Sequence, residues 1–532
     1  MSLTSQTELI FLLLIFVVGF GALAKRLSLP YPIVLVIAGL LLSFVPEIPK
    51  VSLNPEFIFL IVLPPLLFSA AFGTSWRDFR YNFVSIFLLA FGLVGFTVFS
   101  IGGMAHMLLP GFDWRLGLVL GAVIATTDAI AATSIAERVG LPRRIIDVLE
   151  GESLINDASG LLALEFATAL IVSNRTPSVG EGLGRLLWLI IGGIAVGLVV
   201  GKFVDLLERH LEDAPVEVTL SLVIPYAAYL AADAAHCSGV LAAVAAGFYL
   251  GNKSSYFFSS TVRIAAYGFW DTFTFVLNGV VFLLIGLQLP YILSQIRYVS
   301  LHELFIDAAQ FVGAVIALRL IWAFPGTYTA FLIRRYVLKQ PESLPSARGI
   351  FLVGWTGMRG VVALAAAISL PEKTANGQAF PQRNMIIFLT FCVIFITLVA
   401  QGLTLPSLIR ALGLSVQATD DGEEKLARHK ILQTALERLH KLRKDDAPNH
   451  AEVYDDIAHH YEDRLAALAQ ENGEADDPHQ EHQERYRSIS RELRRIERET
   501  AIQLRNRKEI GDNVLHALER ELDLLDSRYS QV

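Results

Sequence analysis

Residues 151–160 read GESLINDASG, and the run continues into LLALEFATALIV. Glu152, Asn156 and Asp157 thus fall within two helical turns of an otherwise apolar stretch. An ionised carboxylate at mid-bilayer depth costs roughly 2.5–3.5 kcal/mol on insertion scales, so such residues are rare there and handle charge. On a helix, Glu152 and Asn156 are four apart and share one stripe, while Ser153 and Asp157 share the adjacent one. Leu154 and Ile155 turn away from that sector. A helix end in the headgroup region is the plain alternative for Glu152, since the run opens at Glu150. It suits Asp157 less well, a turn and a half deeper.

Three further stretches carry polar chemistry into apolar surroundings. In AVIATTDAIAATSIA (122–136), Thr126, Thr127 and Asp128 sit mid-run. Thr and Asp bond local backbone and favour a helix break. Threonines bonded to their own preceding turn would be unremarkable, but Asp128 still needs a partner. In FLVGWTGMRGVVALAAAISL (351–370), Gly354, Gly357 and Gly360 surround Arg359. In AVIALRLIWAF, Arg319 lies about halfway along its run, where snorkelling to a helix end is a poor option and pairing a better one. Three acids (Asp128, Glu152, Asp157) against two bases (Arg319, Arg359) leave one acid without a fixed partner. A buried, hydrated and unpaired carboxylate holds either a proton or a small cation, as a proton-coupled carrier requires.

The elements that position these groups follow from composition. Of 532 residues, 53% are hydrophobic and 18% charged, less charge than a soluble chain carries. Long apolar runs fill residues 1–414, and the charge-dense remainder, 415–532, has no run able to span a bilayer. Two parts are expected: a transmembrane domain (1–414) and a helical tail (415–532). Thirteen candidate helices of about 17 residues or more cover 7–25, 31–45, 57–73, 81–108, 114–137, 150–173, 184–209, 216–232, 236–252, 264–290, 303–335, 346–371 and 384–412. The first has no positive residues ahead of it and no clean cleavage site, so it reads as a span and not a cleaved signal. Loops on the tail's side carry 15 Lys and Arg against 7 opposite, which places the tail in the cytoplasm and the N-terminus outside. Cys237 and Cys392, the only cysteines, read as small core residues with no disulfide framework.

The disrupted stretches are the fifth and twelfth spans. Shifting by seven maps the first six spans onto the eighth to thirteenth, and the two breaks coincide. An odd offset gives the halves opposite topology. This is the inverted-repeat pattern of secondary transporters, whose sites form where two broken helices meet near mid-bilayer.

With those residues in view, the chain resembles the monovalent cation:proton antiporters of the sodium/proton exchanger type. The matching pieces are GESLINDAS (151–159), the TTD element (126–128), LPPLLF (63–68), Arg319 and GMRG (357–360). The resemblance spans residues 5 to about 414, and its first motif is the specific one. It implies a 13-helix fold with a dimerisation part and a mobile core. Asp157 would alternately bind cation and proton, and Asp128, Ser153 and a Thr127 oxygen would complete a site for Na+. Glu152 and Arg319 match the family's buried ion pair, and Arg359 would brace the crossing. Asn156 stands where electrogenic relatives carry a second aspartate, which suggests one-for-one exchange with Asp128 held ionised near Arg359 and the half-helix N-termini. The family's usual TDPVA is TDAIA here, with Ala129 in place of proline.

The tail reads as helices over EEKLARHKILQTALERLHKL, RYRSISRELRRIERETAIQLRNRKEI and NVLHALERELDLLDSR, with a Glu/Asp/His/Gln linker near 470–484 and Leu515, Leu518, Leu522 and Leu525 at three- and four-residue steps. It holds eight of the twelve histidines, which read as a solvated surface ahead of a pH sensor. The expectation is a homodimeric, all-α, multi-pass cell-membrane carrier with two crossing broken helices, acting in pH homeostasis. Na+ (or K+ or Li+), H+ and lipid are its partners, with no cofactor, no nucleic acid and no enzymatic activity. A potassium/proton antiporter is the alternative substrate reading. A pure channel would not need a titratable acid at a repeat interface. An intramembrane aspartyl protease, with its own paired aspartates, leaves Arg319 and Arg359 unexplained.

Overall fold

The computed structural model describes residues 3–46, 54–172, 179–211, 213–296, 300–340, 344–414, 419–445 and 451–470, with scattered positions from 489 to 518. It divides into two compact units, Met1–Val416 and Gln417–Val532.

The first unit is helical throughout its described length, apart from turns and one isolated bridge between Lys373 and Ala379. In chain order its helices are α1 (Leu3–Arg26), α2 (Tyr31–Leu42), α3 (Pro55–Gly73), α4 (Trp76–Leu108), α5 (Trp114–Ala125), α6 (Ala129–Val139), α7 (Arg143–Val172) and α8 (Val179–Glu208). There follow α9 (Ala214–Ala234), α10 (Gly239–Phe257), α11 (Ser260–Leu287), α12 (Leu301–Leu332), α13 (Ala347–Trp355), α14 (Val361–Ile368) and α15 (Arg383–Leu412). Every expected span is met by a helix, or by a pair of half-helices at the fifth and twelfth. Among the described residues nine helices are long and apolar enough to cross a membrane, and α1, α2, α10 and the α13–α14 pair are not among them. Among the described residues, length and composition thus mark nine of the thirteen expected spans as able to cross a membrane. The α2 helix has 12 residues, about 18 Å at 1.5 Å per residue, short of the roughly 30 Å hydrocarbon core.

Helix starts follow local chemistry. Asn54, Ser75, Asp113, Ser238, Ser259, Ser300 and Ser346 each accept a backbone N–H from the first turn of the helix they precede, as capping requires. The α7 helix begins at Arg143, seven residues before the expected start, because Arg143 to Leu149 continue the helix below the apolar run. Glu152 is therefore in the third turn and not at a helix end. Four π-helical turns interrupt the ladder, at Ile58–Val62, Leu88–Leu93, Ile333–Val337 and Thr397–Gln401.

Burial sorts the passages. The apolar window across α5 and α6 is 67% buried, that of α8 only 11%. The discontinuous passage lies inside the bundle, and α8 turns its side chains outward.

In the second unit, α16 (Thr419–Asp445) takes in the EEKLARHK segment, and α17 (Ala451–Gln470) falls where sequence analysis marks no helix. The two pack together, with Arg443 and Asp455 paired at 2.6 Å. The expected linker beyond Gln470, most of the later helical segments, and Leu515, Leu522 and Leu525 lie outside the described residues.

Candidate functional site

The two breaks meet. The helix α5 ends at Ala125 and α6 starts at Ala129; α13 ends at Trp355 and α14 starts at Val361. Between them the Asp128 N–H donates to the Met358 carbonyl at 2.9 Å. In return Arg359 Nε donates to the Ile124 carbonyl, in the last turn of α5, at 2.6 Å. Each break thus satisfies backbone groups that the other leaves open, which is what lets irregular chain persist at membrane depth.

Helix ends set the charges. Asp128 Oδ1 accepts the Ile130 N–H at 2.9 Å, so the carboxylate caps α6 at its positive N-terminal end. The same side chain lies against Gly360 at the start of α14; a Cβ built on Gly360 would stand 2.4 Å from Asp128 Oδ2. Arg359, 2% exposed, donates to Ile124 O and Gly357 O, at the carbonyl-rich end of α5 and within the second break, and its own N–H donates to Thr397 Oγ1 at 3.2 Å. Among the described residues the Arg359 guanidinium bonds carbonyls and not Asp128, whose carboxylate instead rests on the N-terminus of the helix it caps.

Arg319 goes to Glu152. Nη1 donates to Oε1 at 2.6 Å and Nη2 to Oε2 at 3.0 Å, while Nη2 also reaches the Val353 carbonyl at 3.3 Å. Gly357 makes room for this guanidinium, since a Cβ there would overlap Arg319 Nε at 1.9 Å. The two glycines of GMRG are thus required by close approach, one to Arg319 and one to Asp128.

The polar sector of α7 closes onto the first break. Thr127 Oγ1 donates to Glu152 Oε1 at 3.2 Å and accepts the amide of Asn156. Ser153 Oγ donates to the Thr127 carbonyl at 2.8 Å and accepts the Ala129 N–H at 3.3 Å. Asp157, 5% exposed, is different: no donor among the described residues reaches its carboxylate. Thr126 Oγ1 and Asn156 Oδ1 are buried and accept nothing. The structure so brings Thr127, Glu152, Ser153, Asn156 and Arg319 into one bonded network at the crossing, with Asp128 next to Thr127 in the break and bonded to Ile130 and Met358. Desolvated small cations are held by oxygen atoms of this kind. Sequence analysis gave no role to Thr397 or to Ser159, and named Thr126 without one. Thr397 and Ser159 are polar residues in apolar runs, the signal that marked Asp128.

A model of the transmembrane sodium/hydrogen exchanger matches residues 12–411. The chain belongs to the sodium/hydrogen exchanger family. The exchanger is therefore a multi-pass membrane transporter. An uncharacterized Na(+)/H(+) exchanger of Mycobacterium tuberculosis H37Rv is 33% identical to it over 508 residues, covering 94% of this chain and 92% of the relative. A Bacillus pumilus protein named a sodium, potassium, lithium and rubidium/H(+) antiporter is 31% identical over 79% of this exchanger and 63% of its own length. The sodium proton antiporter MjNhaP1 of Methanocaldococcus jannaschii, solved at pH 8, aligns with a TM-score of 0.60 over 78% of this chain and 100% of its own, at 20% identity. That last similarity establishes the shared fold.

Proposed function

We propose that this exchanger trades a monovalent cation, Na+ first, for one proton by alternating access, with Asp157 as the carboxylate that carries either. The observation that supports this is the contrast among the three buried acids. Glu152 is neutralised by Arg319 and Asp128 caps a helix, whereas Asp157 accepts no hydrogen bond among the described residues. Asp128, Ser153 and a Thr127 oxygen face the same cation.

Charge counting supports one-to-one exchange. Three acids and two bases at the crossing sum to minus one, and one Na+ or one H+ brings either loaded form to zero. The membrane potential, about 2.3 kcal/mol per charge per 100 mV, then does no net work on the cycle. The Bacillus relative's name brings K+ and Li+ into the same reading. The homodimer, the cell-membrane location and the cytoplasmic tail belong to this proposal, the last supported by the 15-to-7 loop asymmetry.

Proteoliposome flux with Na+, K+ or Li+, with and without a pH gradient, tests the substrate. Solid-supported-membrane recording tests the ratio: sustained transport current that scales with turnover would exclude one-to-one exchange.

A further inference from the structure

The π turn at Leu88–Leu93 in α4 is not used by the chemistry above. Such turns displace the regular ladder and recur at functional sites. Two carbonyls of this one accept side-chain donors from other helices. Ser159 Oγ, two residues beyond Asp157 on α7, donates to the Ala90 carbonyl and lies 3.1 Å from the Asn156 carbonyl. Trp322 Nε1, three residues beyond Arg319 on α12, donates to the Leu88 carbonyl at 3.3 Å. The indole stacks on Phe96 with centroids 5.1 Å apart. It also lies over Gly92, where a Cβ would stand 2.7 Å from Cζ2.

The helix that carries Asp157 and the helix that carries Arg319 are therefore tied to one turn of a third. We propose that Ser159 and Trp322 are positioning residues for exchange: through the π turn they hold Asp157 in register with the Glu152–Arg319 pair and so with the crossing. The need is geometric. A one-residue slip of α7 along α4 moves a side chain 1.5 Å and turns it by about 100°, enough to swing the Asp157 carboxylate out of its sector. Glu152, Ser153 and Asn156 fix α7 on the N-terminal side of Asp157, and a further tie on its far side fixes the helix on both sides of the carboxylate. Ser159 supplies it, buried at 6% exposure.

The inference rests on the reading of Asp157 given above, and the test separates the two. Full-length Ser159→Ala, Ser159→Thr, Trp322→Phe and Asp157→Asn are reconstituted in proteoliposomes and Na+/H+ exchange is measured at graded Na+. Trp322→Phe keeps a ring over Gly92 and loses only the donor. Ser159→Ala and Trp322→Phe are expected to raise the apparent KM for Na+ about fivefold each, the order one hydrogen bond is worth. Maximal rate and melting temperature stay near the parent, and Ser159→Thr restores the KM. An unchanged KM, or a loss confined to rate and melting temperature together, overturns the positioning role while Asp157→Asn is inactive. Proton-coupled flux surviving in Asp157→Asn overturns the underlying reading of the site, and this inference with it.

Discussion

Arg319 and Glu152 meet in two parallel N–H···O bonds, 2.6 and 3.0 Å long, with side-chain exposures of 4% and 1%. Removing one partner of such a pair strands the other charge, at about 3–5 kcal/mol. Glu152→Gln and Arg319→Ala are each expected to melt well below the parent in detergent. Glu152→Gln combined with Arg319→Met should melt above either single variant, because no charge is left unpaired. Single variants that melt with the parent would mean that the pair does not support the fold.

Gly360 has no space for a side chain, its Cβ position lying 2.4 Å from Asp128 Oδ2 and 2.5 Å from Asp128 Cβ. Overpacking of this kind costs about 1–3 kcal/mol. Gly360→Ala should displace the Asp128 carboxylate and lower Na+/H+ exchange by about tenfold or more, with Gly95→Ala, where nothing lies within 4 Å, as the silent control. Equal activity of the two variants in vesicle flux would argue against the role given to Asp128.

Ala129 donates its N–H to Ser153 Oγ at 3.3 Å, a bond that proline cannot make. The position opens α6, where proline is well tolerated. Ala129→Pro should fold, release a lone pair on Ser153 and lower the apparent KM for Na+. Flux at graded Na+ reads this directly, and an unaltered KM would mean that the Ser153 oxygen does not face the cation.

Truncation after residue 418 removes none of the bonded network at the crossing, which lies wholly within 124–397. The shortened protein should still exchange ions, with any change confined to its pH profile. A well-folded truncation without flux would make the tail part of the transport machine.

Much of this was legible because lipid penalises polar atoms. Asp128, Glu152, Asp157, Arg319 and Arg359 each stand out in an apolar run, and the two glycine- or threonine-marked breaks follow from local residue types. Partner choice was harder to read. Nothing in spacing says that Arg359 turns to the Ile124 carbonyl and not to Asp128, because that depends on which helix ends the fold brings together. The π turns were equally hidden, since Leu88–Leu93 is an ordinary apolar segment whose carbonyls matter only once Ser159 and Trp322 arrive from elsewhere in the chain. The early start of α7 was missed because Arg143 to Leu149 are helical without being apolar enough to count as span.

Beside the Glu152–Arg319 pair, Asp128 and Arg359 are matched to helix ends and not to each other. Asp128 rests on the N–H groups that open α6, and Arg359 on the carbonyl that closes α5. A cation that reaches these carboxylates has no ion pair to pull apart and no arginine to displace. The activation barrier to its capture is then mostly the loss of its own hydration shell, so the binding step is fast and readily reversed. In the proposed cycle the slow step is then expected to be the movement of the protein.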